Sequence, residues 1–326
     1  MYLVINIVLF SYISLKVKVL STNEIRLLIQ GSGEQSILNQ NFYKEPIEVY
    51  INNTKKESCK KSCILPSEYN DIKLIFDNNI NSCIEMFNGL NNILSIDLSN
   101  FDFSQVINMN SMFKDCENLK NINFGNINTT RVEDMTSLFQ NCKNLESIDV
   151  SKFDTSNVES MKQMFGSCEK LTSIDVSNFK TSNLINMHDM FAYCHLLTSL
   201  NLTNFDTSKV QTMRGIIYYC NNLKYFDIST FKTDSLTNLA FLFGYVESLK
   251  YVNLRKFKLL DYSNIIIYDG IFYGNTVKSN IKFCIEDEST KNFIIGDMNS
   301  YCSDFCFQKN ILFDSFPDSL HFLHVL

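Results

Sequence analysis

The chain contains 326 residues, of which 45% are hydrophobic and 20% are charged, and this proportion is enough to bury a sizeable core. Such a composition excludes wholesale disorder, and 10 glycines with 3 prolines exclude a collagen or a linker protein. A formal charge of −6 argues against a nucleic-acid partner, which would favour a basic surface. Length alone predicts about two domains.

The N-terminus begins with an uncharged apolar run, MYLVINIVLFSYISL, over residues 1–15. This run is shorter than the roughly 20 residues that a membrane-spanning helix needs, and it fits the apolar region of a secretory signal. We therefore predict a signal peptide over residues 1–21, with a signal anchor or a buried first strand as the alternatives. Because no other segment approaches membrane length, no membrane span is expected in the mature chain.

The next segment, residues 22–82, carries three short apolar runs, at 25–29, 47–51 and 72–76, separated by polar stretches. A repeat array follows it, and the terminal unit of such an array exposes an apolar cross-section unless another element covers it. The sequence therefore predicts that residues 22–82 form an N-terminal β-rich cap.

The middle of the chain repeats every 26 residues. Five methionines keep this spacing: Met109, Met135, Met161, Met187 and Met213. Extended by one unit in each direction, the register covers residues 83–264 as seven ungapped units, and seven repeats of one length are the signature of a repeat architecture.

Within a unit, the apolar spacing changes from helix-like to strand-like. Apolar residues of 158–168 recur every three or four positions, as on a short helix, whereas Ile174 and Val176 alternate as on a strand. Capping-box hydroxyls mark the expected helix starts: Thr130, Ser156 and Ser208. Because one unit cannot bury its own stripe, the units must stack, which predicts an α/β solenoid with a parallel β-sheet on one face and short helices on the other.

Two units show the repeat most fully, MTSLFQNCKNLESIDVSKFDTSNVES at 135–160 and MKQMFGSCEKLTSIDVSNFKTSNLIN at 161–186. Their pattern resembles the repeats of BspA-like leucine-rich-repeat surface proteins. The resemblance implies a leucine-rich-repeat-like solenoid in an extracellular, non-enzymatic, adhesion-type protein, and it carries over no catalytic residues. The fifth unit departs from the pattern at residues 214–217, where we expect a local distortion.

The C-terminal segment, residues 265–326, continues the repeat with a shift of three residues. Phe272 and Phe283 lie 29 residues beyond Phe243 and Leu254. This spacing predicts a degenerate eighth unit, followed by a cysteine-containing C-terminal cap.

The cysteines fall into two groups. One group recurs at the 26-residue spacing and is predicted to form a buried ladder of reduced thiols, with some disulfides or a metal site as the alternatives: Cys116, Cys142, Cys168, Cys194 and Cys220. The other group flanks the repeats and supplies disulfide candidates for a secreted chain: Cys59, Cys63, Cys284, Cys302 and Cys306. We favour Cys59 with Cys63, and Cys284 with Cys302 or Cys306. Neither a metal site nor a cofactor is predicted.

The outward positions of the predicted strands form Ser-Asp-Ser rows. We interpret the Asp row as turn-forming and solubilising; a paired-carboxylate hydrolase and a calcium site are the alternatives. At the C-terminal end of these rows, Tyr225, Tyr251 and Arg255 occupy positions that serine occupies in most other units. Tyrosine and arginine are favoured in protein interfaces, so these three residues are the predicted contact site. The alternative is that the tyrosines pack under the C-terminal tail.

These observations predict a non-enzymatic, secreted or cell-surface interaction protein of the adhesion type. We expect it to be monomeric and to present its repeats to a protein or glycan partner. An intracellular scaffold for protein–protein interaction is the alternative, and it would keep the cysteines at both ends reduced.

Overall fold

The N-terminal strands follow from the alternation of apolar and polar residues. The structure, a computed structural model, describes residues 23–258, 270–274 and 281–297. Every second residue of Asn23–Gln30 is buried, and Tyr69–Phe76 shows the same alternation. The two segments therefore place one apolar face on the core and one polar face in solvent.

The described residues form eleven strands and one helix. In chain order these are β1 (Asn23–Gln30), β2 (Gly33–Ser36), β3 (Glu48–Ile51), β4 (Thr54–Lys55), β5 (Ser62–Leu65), β6 (Tyr69–Phe76), β7 (Ile93–Asn100), β8 (Asn121–Asn123), β9 (Tyr225–Asp227), β10 (Tyr251–Asn253), β11 (Lys282–Cys284) and α1 (Glu288–Asp297).

The strands form three sheets. The largest is mixed and has the order β4-β3-β6-β1-β7-β8, in which β1 pairs antiparallel with both β6 and β7, and β7 pairs parallel with β8. A parallel sheet has the order β11-β10-β9, and β2 pairs antiparallel with β5. Because β1 pairs with β7, the sheet continues across residue 82, which the sequence analysis treats as the end of the cap.

The predicted fold class, an α/β leucine-rich-repeat-like solenoid with short helices on one face, is wrong. The repeats over the described residues 83–258 contain no α-helix, and α1 lies beyond them. The largest sheet is mixed, and no strand is assigned between residues 124 and 224. A continuous parallel sheet backed by helices is therefore not what this sequence forms.

Backbone hydrogen bonds between units explain the missing helices. The N–H groups of Met161, Gln163 and Phe165 donate to carbonyl oxygens 25 residues further along, at 2.8–2.9 Å. An α-helix would direct these groups to the carbonyl four residues earlier. Gln163 and Ser167 also have φ of 54° and 59°, values that a right-handed helix excludes. The apolar side chains predicted to form a helical stripe are buried, but successive turns, and not a helix, place them in the core.

The predicted capping boxes are wrong for the same reason. The N–H of Ser156 donates to Asp154 Oδ1 at 3.0 Å, and the N–H of Ser208 donates to Asp206 Oδ1 at 3.1 Å. Asn128 accepts the N–H of Thr130 in the same way, at 3.1 Å. The Asp or Asn two residues earlier therefore forms a local turn, and the hydroxyl residue caps no helix.

A stack of phenylalanine rings forms the centre of the repeat core. Neighbouring ring centroids lie 5.4–5.8 Å apart, with interplanar angles of 16° or less. The stacked rings are Phe87, Phe113, Phe139, Phe165 and Phe191. Ile217 ends this stack, and Phe243 and Phe272 resume it at 5.3 Å. Each ring is fully buried, so each unit contributes apolar surface that its neighbours cover.

Buried threonines form a second ladder, which the sequence analysis did not identify. Thr155 Oγ1 accepts the N–H of Lys180 at 2.8 Å and donates to the carbonyl of the same residue at 3.1 Å. Four buried threonines make this double contact with the next unit: Thr129, Thr155, Thr181 and Thr207. A hydroxyl suits the position because it can donate and accept at once.

The threonine ladder predicts a stability difference between two substitutions at one position. Thr155→Val leaves the N–H and C=O of Lys180 without their buried partner, so we expect the free energy of unfolding to fall by about 2 kcal/mol. Thr155→Ser keeps the hydroxyl and should retain more of the stability. Urea denaturation followed by circular dichroism measures both.

Thr172→Val, at an exposed position, serves as the control and should change stability by no more than about 0.5 kcal/mol. Equal stability of Thr155→Val and the wild type would contradict a structural role for this ladder.

Candidate functional site

The Asp row forms local turns, as the sequence analysis predicts. Oδ1 of Asp97, Asp149, Asp175 and Asp227 each accepts the N–H two residues later, at 2.8–2.9 Å. A hydrogen bond from the side chain of the following serine lowers the pKa of Asp149 and Asp175. Asp149 and Asp175 are therefore held ionised within their own turns, an arrangement unlike an acid–base pair with separated pKa values.

The predicted contact residues lie together on the C-terminal strands. Tyr225 on β9 pairs with Tyr251 on β10, and their rings stack at 5.3 Å with an interplanar angle of 7°. Arg255 follows two residues after β10, and its Nε lies 3.3 Å from Glu286 Oε1. Glu286 belongs to the segment between β11 and α1, so this segment contacts Arg255.

A larger tyrosine group lies on the turn side of the repeats, and the sequence analysis missed it. Tyr193, Tyr219 and Tyr245 occupy one position of three successive units and have φ between 51° and 61°. Their rings stack at 5.0 Å and 4.1 Å, with interplanar angles of 12° and 10°. The 26-residue spacing of these tyrosines is the signal that could have found them.

Other aromatic rings brace this stack. Tyr218 lies perpendicular to it, 4.9 Å from Tyr219 and 5.5 Å from Tyr193. Burial, followed by the neighbouring tyrosines, raises the pKa of Tyr218 to about 12. Tyr273 is 54% exposed and packs edge-on against Tyr245 at 5.5 Å. We call these five residues the tyrosine surface.

A charged cluster lies beside the tyrosine surface. Arg214 Nη1 is 2.8 Å from His188 Nε2 and 3.4 Å from Asp189 Oδ2, and its guanidinium lies 4.8 Å from the centre of the Phe241 ring. The expected distortion of the fifth unit is wrong, because Met213 and Gly215 donate to carbonyl oxygens 25 residues further along, as in the other units. At Gly215, φ is +55°, and a Cβ would contact the Asp189 carboxylate directly. A larger residue at this position would therefore have to displace the Asp189 side chain.

The cysteines of the ladder are buried free thiols. Each thiol donates to the carbonyl of a phenylalanine in the preceding unit, at 3.1–3.3 Å. Burial raises the pKa of Cys116 and of Cys194 to about 12. These thiols act as core side chains that also link neighbouring units, and they are poor nucleophiles.

The flanking cysteines divide between described and undescribed parts of the chain. Cys59 and Cys63 form a disulfide, with their Cα atoms 5.1 Å apart. Cys284 on β11 is buried. Cys302 and Cys306 lie outside the described residues, as does the predicted signal peptide over residues 1–21.

Comparison with protein families identifies the repeats. A family described as "Mycoplasma protein of unknown function, DUF285" matches residues 81–199 and 195–283, so the matches span 203 of the 326 residues. The chain belongs to this family. No curated protein and no solved structure matches it. The DUF285 description names no activity, so the function has to be argued from the surfaces described above.

Among the described residues, helix α1 is too short to span a membrane. Within residues 23–258, 270–274 and 281–297, no group of three or more His, Cys, Asp or Glu side chains is placed to hold a metal ion.

Because a Cβ at Gly215 would contact Asp189, we expect an alanine substitution to destabilise the protein more at Gly215 than at Gly89. Gly215→Ala adds a direct clash to the cost of a left-handed alanine, so we expect the free energy of unfolding to fall by more than about 2 kcal/mol. Gly89 also has a positive φ, of +77°, but nothing lies within 4 Å of an added Cβ, so Gly89→Ala should cost only about 1 kcal/mol. Equal losses in urea denaturation would contradict the clash.

The buried thiols predict a loss of stability at high pH. Their folded pKa lies above the ordinary value of 9.0, so above pH 9 the unfolded chain releases protons that the folded chain retains. The stabilisation is complete below pH 9 and is lost as pH rises towards 12. At pH 10 the loss should be about 1 kcal/mol per thiol.

Urea denaturation at pH 7 and pH 10 measures this loss. Cys194→Ala should reduce the difference between the two pH values by about the contribution of one thiol. An unchanged difference in this variant would show that other groups cause the pH dependence.

Proposed function

We propose that this DUF285 protein is a non-enzymatic, secreted or cell-surface interaction protein that binds a protein partner through the tyrosine surface. The observation that carries the proposal is the stack of Tyr193, Tyr219 and Tyr245 on the outside of the repeats. Tyrosine is among the residues most enriched at the centres of protein interfaces. Tyr193 is 39% exposed, and Leu196, three residues later in the chain, is 44% exposed.

The stack is organised before any partner arrives. Tyr219 has a parallel ring on each side and Tyr218 against its edge, so its rotamer is held by packing. A side chain that is already fixed loses little conformational entropy on binding. The tyrosine surface can therefore contribute affinity with a small ordering cost.

Ring geometry favours a protein partner at this surface over a glycan. The faces of Tyr219 are covered by Tyr193 and Tyr245, so the ring edges and hydroxyl groups are what a partner meets. A sugar would pack on a free aromatic face, whereas edges and hydroxyls suit the mixed apolar and hydrogen-bonding contacts of a protein interface.

Two observations support an extracellular location for this function. The Cys59–Cys63 disulfide favours an oxidising compartment, which distinguishes the proposal from an intracellular scaffold using the same surface. The BspA-like repeat pattern adds support, because proteins with that pattern are surface proteins. The buried cysteine ladder is compatible with either compartment, since its thiols take part in packing.

The proposal predicts that a single tyrosine controls partner binding. The full chain is tested by biolayer interferometry against a panel of immobilised extracellular proteins, and each binding protein is then tested with Tyr219→Ala. Removal of a central interface tyrosine should weaken binding at least about tenfold. Tyr251→Ala, tested in parallel, examines the strand-side patch of Tyr225 and Tyr251.

Tyr69→Ala is the matched control, because Tyr69 is 57% exposed and lies on β6, in the N-terminal part of the chain. It should leave binding unchanged. The proposal fails if no protein in the panel binds, or if every binding protein tolerates both Tyr219→Ala and Tyr193→Ala.

A further inference from the structure

The stack of Tyr193, Tyr219 and Tyr245 has one closed end and one open end. At its C-terminal end, Gly274 occupies the repeat position that follows Tyr245, and a Cβ on Gly274 would overlap the Cε1, Cζ and Cδ1 atoms of the Tyr245 ring. The backbone of Gly274 therefore packs against this ring. At the N-terminal end, the same repeat position holds Ser167, whose side chain is too small to cover the ring of Tyr193.

The neighbouring rings also leave the outer face of Tyr193 uncovered. Tyr219 stacks on its inner face at 5.0 Å. Tyr218 lies nearer to Tyr219 than to Tyr193, at 4.9 and 5.5 Å, and His195 lies about equally far from both, at 6.3 and 6.2 Å. A ring on the outer face would be much nearer to Tyr193 than to Tyr219, so neither ring lies there. Tyr193 is accordingly exposed, whereas Tyr219 and Tyr245 are only partly exposed.

A carboxylate lies beside this open face. Glu169 occupies the repeat position of His195, one unit earlier. Because His195 lies beside the rings of Tyr193 and Tyr219, the register places Glu169 beside the space over the outer face of Tyr193, at the level of Ser167.

Within the part of the chain that the structure describes, the Glu169 carboxylate has no hydrogen bond and no ion pair. Its neighbour in the preceding unit, Lys143, pairs with Glu117 at 2.9 Å. The adjacent Lys170 occupies the repeat position of Leu196, outside the row that flanks the rings. The open face is thus bordered by a carboxylate that can accept a cation.

A guanidinium group matches this combination of an aromatic face and a carboxylate. It is planar and weakly hydrated, it stacks on aromatic rings, and it forms paired hydrogen bonds with carboxylates. An ammonium group is more strongly hydrated, and an uncharged ring or a sugar would leave the negative charge uncompensated. The protein makes this kind of contact itself, since the Arg214 guanidinium lies 4.8 Å from the centre of the Phe241 ring and its Nη1 lies 3.4 Å from Asp189 Oδ2.

We propose that the open face of Tyr193 receives an arginine side chain of the protein partner, with the guanidinium stacked on the ring and paired with Glu169. The contact rests on the function proposed above, because it names the partner residue that the tyrosine surface recognises. The guanidinium then extends the stack by one planar group, over Ser167.

Short peptides test this contact without the partner. The full chain is titrated into acetyl-Gly-Arg-Gly-amide and followed by proton NMR of the peptide. Protons held over an aromatic face are shielded, so the arginine Hδ resonance should move upfield, with a Kd of about 10 mM or tighter. The matched control is acetyl-Gly-citrulline-Gly-amide, because citrulline keeps the planar shape of arginine without its charge. It should bind at least about fivefold more weakly.

Three variants locate the contact on the protein. Ser167→Tyr should abolish binding, because a fourth ring would cover the open face. The φ of 59° at Ser167 lies within the 51° to 61° of the three stacked tyrosines, so a tyrosine fits this backbone. Glu169→Gln should weaken binding about threefold. The control, Glu247→Gln, removes an exposed carboxylate from the same repeat position beside the closed end of the stack, and it should leave binding unchanged.

The proposal is overturned if the arginine and citrulline peptides bind equally, if the Hδ resonance does not move upfield, or if Ser167→Tyr or Glu169→Gln binds like the wild type. Selective arginine binding without any binding protein in the panel would contradict the proposed function and retain the arginine site. Binding proteins that need Tyr219, without arginine selectivity, would contradict the arginine site alone. Circular dichroism of each variant confirms that the fold is intact.

Discussion

Backbone hydrogen bonds between neighbouring units are the constraint on which the rest of the structure depends. Alternate N–H groups of the turn segment, such as those of Met161 and Phe165, donate to the next unit. Once these groups bond outward, the segment cannot be an α-helix, and residues such as Gln163 adopt positive φ. The same bonds keep every unit in register, so identical side chains meet. The phenylalanine stack, the thiol ladder and the threonine ladder all follow from that register.

Much of the core could be predicted from the sequence, because burial depends on which residues recur. The 26-residue period located Phe165 and Cys168 in the core, and both are fully buried. The backbone conformation could not be predicted, since an apolar residue every three or four positions is compatible with a helix and with successive turns. The choice depends on whether N–H groups bond within the segment or to a neighbour, and a single unit does not contain that information.

In the candidate sites, too, some residues could be predicted from the sequence and others could not. Tyr251 was predicted from its place on a strand, where alternation marks the outward face. Tyr219 was missed because a helix was expected at its position and its left-handed backbone was not anticipated. The pairing of β1 with β7 joins segments about 70 residues apart, and no local pattern in the sequence predicts it. Local periodicity thus predicts which side chains share a face of the structure. A site that is formed by segments distant in the sequence can be recognised only once the fold is known.

The β1–β7 pairing also bears on how the chain folds. Contacts between repeat units join residues that are mostly 25 to 29 positions apart, so each added unit closes a loop of similar length and similar entropic cost. Growth of the array can therefore proceed one unit at a time from any pair that has formed. Strand β1 instead closes a loop of about 70 residues when it pairs with β7, and a loop of about 40 to 50 residues when it pairs with β6. Joining the N-terminal strands to the repeats therefore carries a larger loop-closure entropy than adding one more unit.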